Sequence, residues 1–277
     1  MKPTIQDKRA TFKTLHEQGC FIIPNPWDVG SALMLQGMGF KALASTSSGQ
    51  AWSTGMADAS VSRGQVLDHL RILVNATDLP VNADFESGYA ADAKGVAESV
   101  RMAVATGVAG LSIEDASGDK AAPIYNMADA VARVRAARAA IDESGGDTLL
   151  VGRAENFLHG RADLADTITR LKAYAEAGAD CLYAPGIKTR DDIVAVVTAV
   201  APKPVNLLIG WASDFTLADV AAMGVRRISV GGALARSAWG GFMQAARGLE
   251  QGRFDGFAQA MPGGELNAFF GKSQPAD

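Results

Sequence analysis

Eight short apolar runs are spread along the chain, and this repetition restricts the fold more than any other feature. They are Cys20–Ile23, Ala42–Ser45, Val81–Phe85, Gly110–Glu114, Leu149–Arg153, Cys181–Ala184, Val205–Ile209 and Ile228–Val230. Each is followed by a polar turn and then by a longer, alanine-rich segment with helical spacing. Near-continuous apolar runs suit strands buried on both faces, as in a parallel sheet covered by helices. Eight such units are what a closed (β/α)8 barrel requires, and 277 residues suit a fold of about 250. Gly39, Gly107, Gly178 and Gly224 each stand between a helical segment and the next strand, where a left-handed residue ends a helix. Pro80 and Pro204 precede two strands, at a place where the missing N–H costs little. No linker or shift of composition divides the sequence, so one domain over 1–277 with helical extensions at both ends is expected. An open doubly wound sheet shares the alternation. The first run, however, leads into Pro24-Asn25-Pro26-Trp27-Asp28 rather than a glycine-rich dinucleotide turn, which favours the barrel.

Composition removes several function classes. With 48% hydrophobic and 20% charged residues, the chain is too apolar to be intrinsically disordered. A net charge of −4 offers no basic surface to nucleic acid or an anionic membrane, and neither partner is expected. No leader peptide or 18-residue apolar span is visible, which predicts a cytoplasmic protein. Cys20 and Cys181 cannot form a disulfide framework or a four-thiolate zinc site, and three dispersed histidines make a His-rich centre improbable.

Active sites of such barrels lie at the carboxyl ends of the strands. Here those ends are acidic: Asp84 and Glu86 after the third run, Glu114-Asp115 after the fourth, Glu155 after the fifth. Carboxylates meeting at one mouth repel each other, and a divalent cation with hard oxygen ligands, Mg²⁺ or Mn²⁺, relieves this. Asp84 and Glu86 would point the same way if their strand stayed regular. The competing reading is that these acids cap helices or sit solvated in loops. Arg153 projects from a strand end, either as a structural ion pair or as a bidentate clamp on a substrate carboxylate or phosphonate. Thr46, Ser47 and Ser48 form a turn whose amides and hydroxyls can hold an oxyanion, though serine-rich turns are common. Asp58 reads alone as a loop acid. Asn206 is polar within an apolar run and needs a partner if buried. Lys188 follows the sixth run at a distance that fits a Schiff-base lysine poorly.

The run Asp84-Phe85-Glu86-Ser87-Gly88-Tyr89 resembles the Asp-x-Asp-x-Gly-Tyr-Gly signature of the isocitrate lyase/phosphoenolpyruvate mutase superfamily. Ile113-Glu114-Asp115 resembles its strand-four acidic pair, and Gly152-Arg153-Ala154-Glu155-Asn156 its strand-five segment. The resemblance spans roughly residues 20 to 235. It implies a (β/α)8 barrel whose last helix packs on a neighbouring subunit, in a homodimer or homotetramer. It implies Mg²⁺ at Asp84, with Glu86 and Glu114 in the metal's shell, and substrate contacts from Thr46, Ser47, Ser48, Arg153 and Asn206. Asp58 matches the mutase loop acid, and Asp58, Glu114 and Arg153 are the implied catalytic set. The implied chemistry passes through a metal-stabilised enolate of a small 2-oxo or 2-hydroxy carboxylic acid.

Departures from the pattern narrow this. The lyases carry a loop with a catalytic cysteine after strand four, whereas this chain reads Ala116-Ser117-Gly118-Asp119-Lys120-Ala121-Ala122-Pro123. That argues against isocitrate or methylisocitrate cleavage and leaves the proton donor open among Asp58, a metal-bound water and Tyr125. Of the mutase gate only Lys120 has a counterpart, Ala44 replaces a tryptophan, Pro185 a histidine, and Glu86 the second aspartate of the signature. The expected activity is cleavage of a C–C bond. The alternatives are oxaloacetate-type decarboxylation, carbon–phosphorus chemistry as a phosphonopyruvate hydrolase or mutase, a Schiff-base aldolase, and a non-catalytic 2-oxo acid binder.

Overall fold

Each apolar run forms a parallel strand in the computed structural model, which describes residues 2–271. The strands are β1 (Phe21–Ile23), β2 (Leu43–Ala44), β3 (Val81–Ala83), β4 (Gly110–Glu114), β5 (Leu149–Arg153), β6 (Cys181–Tyr183), β7 (Val205–Leu208) and β8 (Arg227–Ser229). The helices are α1 (Ile5–Leu15), α2 (Val29–Gly37), α3 (Ser47–Ser53), α4 (Arg63–Ala76), α5 (Ala93–Val104), α6 (Met127–Glu143), α7 (Leu164–Glu176), α8 (Arg190–Val200), α9 (Leu217–Ala222), α10 (Ala233–Glu250) and α11 (Gly263–Gly271). The ladder runs β1-β8-β7-β6-β5-β4-β3-β2, and the Ala44 amide donates to the Pro24 carbonyl (3.0 Å) across the remaining gap. The result is a nearly closed (β/α)8 barrel. Gly39, Gly107, Gly178 and Gly224 all have positive φ, between 84° and 104°, at the helix ends read from the sequence.

Two strand boundaries differ from the expected runs in a way that matters. The third strand stops at Ala83 rather than Phe85, because Glu86 (φ 45°) and Tyr89 (φ 52°) take left-handed backbone and turn the chain away. The eighth starts one residue early, at Arg227, which pairs in register with Phe21 and Asn206.

Alternation along the strands sorts the side chains. Val81, Ala83, Leu111, Ile113, Leu150, Leu182, Val205, Leu207 and Ile228 pack outward against the helices in the main core. Phe12 of α1 packs with Ile23, Ala42, Ala44 and Ala109 in a second cluster. Gly110 must lack a side chain there, since a Cβ would lie 2.7 Å from the Phe12 ring. The barrel interior is unusual: where Val, Ile and Leu normally fill such barrels, Asn82, Ser112, Asn206, Arg227 and Ser229 are buried.

His16, just past α1, ties this end of the barrel to the interior. Its Nδ1 is 2.7 Å from the Phe12 carbonyl, which only accepts, so Nδ1 carries the hydrogen. Nε2 is therefore the acceptor for Arg227 Nη1 at 3.3 Å. Burial, then the Arg227 charge, pull the imidazole pKa down to about 3. The unfolded chain takes up this proton near pH 6.5 and the folded chain only near 3, so stability is lost as pH falls through that interval. The loss approaches ~1.4 kcal/mol per pH unit. His16→Asn, which keeps a donor for Phe12 but does not titrate, is expected to flatten the pH 7-to-5 decline in urea-unfolding free energy. An unchanged decline would refute the assignment.

α10 contrasts with the other long helices. Only Ala235 and Gly248 are buried along its 18 residues, while Leu234, Trp239, Phe242, Met243 and Leu249 are exposed. Among the described residues, no helix is long and apolar enough to cross a membrane.

Candidate active site

The polar turn after β2 and the start of α3 aim Asp84. Ser45 Oγ accepts from the Asp84 amide (2.9 Å), and the Ser47 amide donates to Asp84 Oδ2 (2.9 Å). Thr46 caps α3, its Oγ1 accepting from the Gly49 amide (3.3 Å) and lying 3.1 Å from Ser48 Oγ. Asn25, beyond β1, braces the rim. Its Nδ2 donates to the Ser45 carbonyl, and its Oδ1 accepts from the Val230 and Gly231 amides, all at 2.9 Å.

Arg153, at the end of β5, is the centre of the charge arrangement. Nη1 lies 3.0 Å from Asp84 Oδ1 and 3.2 Å from Glu114 Oε2, and Nε donates to Glu155 Oε1. The Glu155 amide is held by the buried Asp115 carboxylate (2.8 Å), which also accepts from Arg170 Nη1 (3.1 Å) and the Tyr174 hydroxyl (2.6 Å). One guanidinium therefore serves three carboxylates, and negative charge is in excess. Burial pushes the Glu114 carboxyl well above its usual range, and Arg153 offsets this only in part. Burial raises Glu86 to about 7, against the hydrogen bond it accepts from the Tyr89 hydroxyl at 2.8 Å. Asp58 is raised by burial and by Asp84.

A cavity of about 180 Å³ opens beside this cluster. Thr46, Ser47, Ser48, Asp58, Asp84, Arg153 and Asn206 all line it, so the turn, the loop acid, the strand-three acid, the arginine and the strand-seven asparagine meet at one place. Glu86 and Glu114 are set back from its surface. Glu86 left the strand alternation at the left-handed turn, and Glu114 lies against Arg153. Among the described residues, no three His, Cys, Asp or Glu side chains converge on a single point, because Arg153 stands between Asp84 and Glu114. The donor set nevertheless fits a hard divalent cation: oxygen-only carboxylates, partly buried, with more negative charge than Arg153 neutralises. Asn206 is engaged at both ends, accepting from Arg227 Nε and donating to Ser229 Oγ (2.9 Å each).

Other candidates fall elsewhere. Lys188 Nζ stacks on the Trp211 ring at 4.6 Å, Lys120 is exposed on its loop, and the Tyr125 hydroxyl accepts from Arg133 Nη2 (2.8 Å). None of the three lines the cavity. Sequence reading passed over Glu155 as a partner of Arg153, together with Asn25, Tyr183 and Arg227. Glu155 was open to recognition two residues beyond Arg153. Tyr183 and Arg227 looked like core and surface residues within or beside apolar runs.

The model of the phosphoenolpyruvate phosphomutase family matches residues 12–250. The crystal structure of a provisional lyase/mutase from Burkholderia cenocepacia J2315 is 46% identical, covers 98% of this chain and 100% of its own, and superposes with a TM-score of 0.95. Oxaloacetate acetylhydrolase with its product oxalate is 25% identical over 96% of this chain and 94% of its own, with a TM-score of 0.86. An oxaloacetate decarboxylase from Bradyrhizobium sp. strain BTAi1 is 28% identical over 76% of this chain and 73% of its own.

Proposed function

The chain belongs to the phosphoenolpyruvate phosphomutase family of lyases and mutases, and we propose that it cleaves a C–C bond in a small 2-oxo or 2-hydroxy carboxylic acid. The observation that carries this reading is the sharing of Arg153 by Asp84, Glu114 and Glu155 beside a cavity that Asp84 and Arg153 line. When bound at Asp84, with Glu86 and Glu114 in its shell, Mg²⁺ or Mn²⁺ supplies Lewis-acid stabilisation of charge developing on substrate oxygens.

The chain's own groups divide the remaining work. Arg153, held by Glu155 through Nε and by Asp84 and Glu114 through Nη1, offers Nη2 to the substrate carboxylate. The Thr46 and Ser48 hydroxyls fix the carboxylate's orientation at the rim. With a 2-hydroxy acid, Asp58, its pKa raised by its surroundings, accepts the 2-hydroxyl proton as the C–C bond breaks and the 2-carbon becomes a carbonyl. The departing fragment leaves as an enolate, to be protonated at carbon. Decarboxylation of a 2-oxo acid uses the same electron sink and is the second reading, favoured by the similarity to oxaloacetate decarboxylase. Carbon–phosphorus chemistry fits less well, since phosphoryl oxygens call for several cations. Of the two that line the cavity, Arg153 is shared by three carboxylates and Arg227 is engaged by Asn206, His16 and Asn82.

A screen of 2-oxo and 2-hydroxy acids with Mg²⁺, following pyruvate, glyoxylate, CO₂ and phosphate, tests the reading. Products of C–C cleavage, lost with a chelator and restored by Mg²⁺, are expected. Phosphate release from phosphonopyruvate, or turnover that survives complete chelation, would overturn it.

The proposal extends to assembly. The exposed apolar face of α10, where Trp239 and Phe242 meet edge-to-face at 5.6 Å, packs on a second copy of the chain in a homodimer or homotetramer. Trp239→Glu with Phe242→Glu is expected to shift the size-exclusion peak to the monomer at micromolar concentration. A wild-type chain that elutes as a monomer would dismiss the interface.

A further inference from the structure

A second buried cation, which the proposed reaction does not use, lines the same cavity as Asp84 and Arg153. Arg227 is 3% exposed, yet forms no ion pair among the described residues. Its partners are neutral: Nε donates to Asn206 Oδ1 (2.9 Å), and Nη1 reaches Asn82 Oδ1 and His16 Nε2 (3.3 Å each). Burying a guanidinium without a counter-charge is unfavourable, and burial pulls its pKa down. Such a group calls for an explanation, and its hydrogen bonds supply one.

The bonds run in one direction. With Oδ1 of Asn206 taken by Arg227, its Nδ2 donates to Ser229 Oγ (2.9 Å). Ser229, already an acceptor, lines the cavity together with Tyr183, and its hydroxyl favours the phenolate. Tyr183 lines the cavity with Asp84 and Arg153, and its ring centre is 5.0 Å from the Arg153 Cζ. Its hydroxyl donates to no group among the described residues, so the phenolic hydrogen is available to a ligand in the cavity. Among the described residues no other tyrosine and no cysteine lines the cavity.

We propose that Tyr183 is the acid that protonates the carbon of the departing enolate, with Arg227 acting through Asn206 and Ser229 as a positioning residue. This rests on the C–C cleavage reading above. As the enolate electron pair forms the new C–H bond, the Tyr183 O–H bond breaks. The resulting phenolate is favoured by the nearby Arg153 charge and the Ser229 hydroxyl, and solvent water returns the proton through the cavity mouth. Burial pushes the phenol up to about 12, so it stays protonated at neutral pH while remaining a far stronger acid than the C–H it creates.

The test uses 3-methyloxaloacetate in D₂O as probe, because decarboxylation makes the protonated carbon of 2-oxobutyrate stereogenic. Wild-type enzyme is expected to deliver one deuterium in a single configuration. Tyr183→Phe should lower kcat by about a hundredfold, leave KM within a few fold, and release racemic monodeuterated product. Ser229→Ala, a milder change that leaves the barrel packed, should move the alkaline limb of the kcat profile upward. Tyr183→Phe that retains wild-type kcat, or that is slow but still stereospecific, overturns the role of Tyr183 while the cleavage reading stands. Wild-type enzyme that breaks no C–C bond in this probe or in the acids of the screen overturns both.

Discussion

Asp84→Asn is expected to lower kcat by about a thousandfold, ~4 kcal/mol of transition-state stabilisation, while leaving the fold intact. Asparagine keeps an oxygen for the Ser47 amide and leaves the backbone bond to Ser45 untouched, so the aim of the side chain survives. What disappears is the charge. With it goes one of the three anions around Arg153, and the guanidinium then binds Glu114 and Glu155 alone. Steady-state kinetics and Mg²⁺ titration calorimetry on the same variant separate the possible roles. A loss of both turnover and cation binding supports Asp84 as the principal metal contact. Turnover within tenfold of wild type would show that hydrogen bonding, not charge, is what Asp84 contributes, and the metal-dependent reading would fail with it.

The parts of the molecule that could be read from the sequence are those in which one local signal decides the outcome. β4 and β5 occupy the expected residues because each apolar run ends abruptly in a charged residue, Glu114 and Arg153, at the barrel mouth. The strand-end rule then brings Asp84, Arg153 and the Thr46–Ser48 turn together without further information. Glu86 shows where the rule stops. A left-handed φ of 45° at glutamate has no propensity behind it and is imposed by its surroundings, so alternation placed it beside Asp84 when the chain had already turned. Arg227 and Asn206 show a different limit. An isolated polar residue in an apolar run signals that a partner exists, but only the β7–β8 register identifies which one. Arg170 and Tyr174, four apart on α7, look like an ordinary helix face, and their shared acceptor Asp115 is 55 and 59 residues away.

That distant contact underlies the largest expected effect on stability. Asp115 is 2% exposed, and its carboxylate accepts from the Glu155 amide, Arg170 Nη1 and the Tyr174 hydroxyl. Asp115→Ala leaves two buried donors without that acceptor and deprives a buried guanidinium of one of its two carboxylate partners, Asp166 being the other. Removing one member of a buried ion pair costs about 3–5 kcal/mol, and a fall of that size in urea-unfolding free energy with an unchanged m-value is expected. Tyr174→Phe, which removes a single donor, should cost only about 1 kcal/mol. Activity should fall further than stability requires, because Asp115 holds the Glu155 amide and Glu155 aligns Arg153. A displacement on the order of 1 Å at such a group is enough for a hundredfold loss. Under conditions where the Asp115→Ala variant is fully folded, wild-type kcat would disconnect this buried network from the site, whereas a depressed kcat would tie the packing behind β5 to the orientation of the substrate clamp.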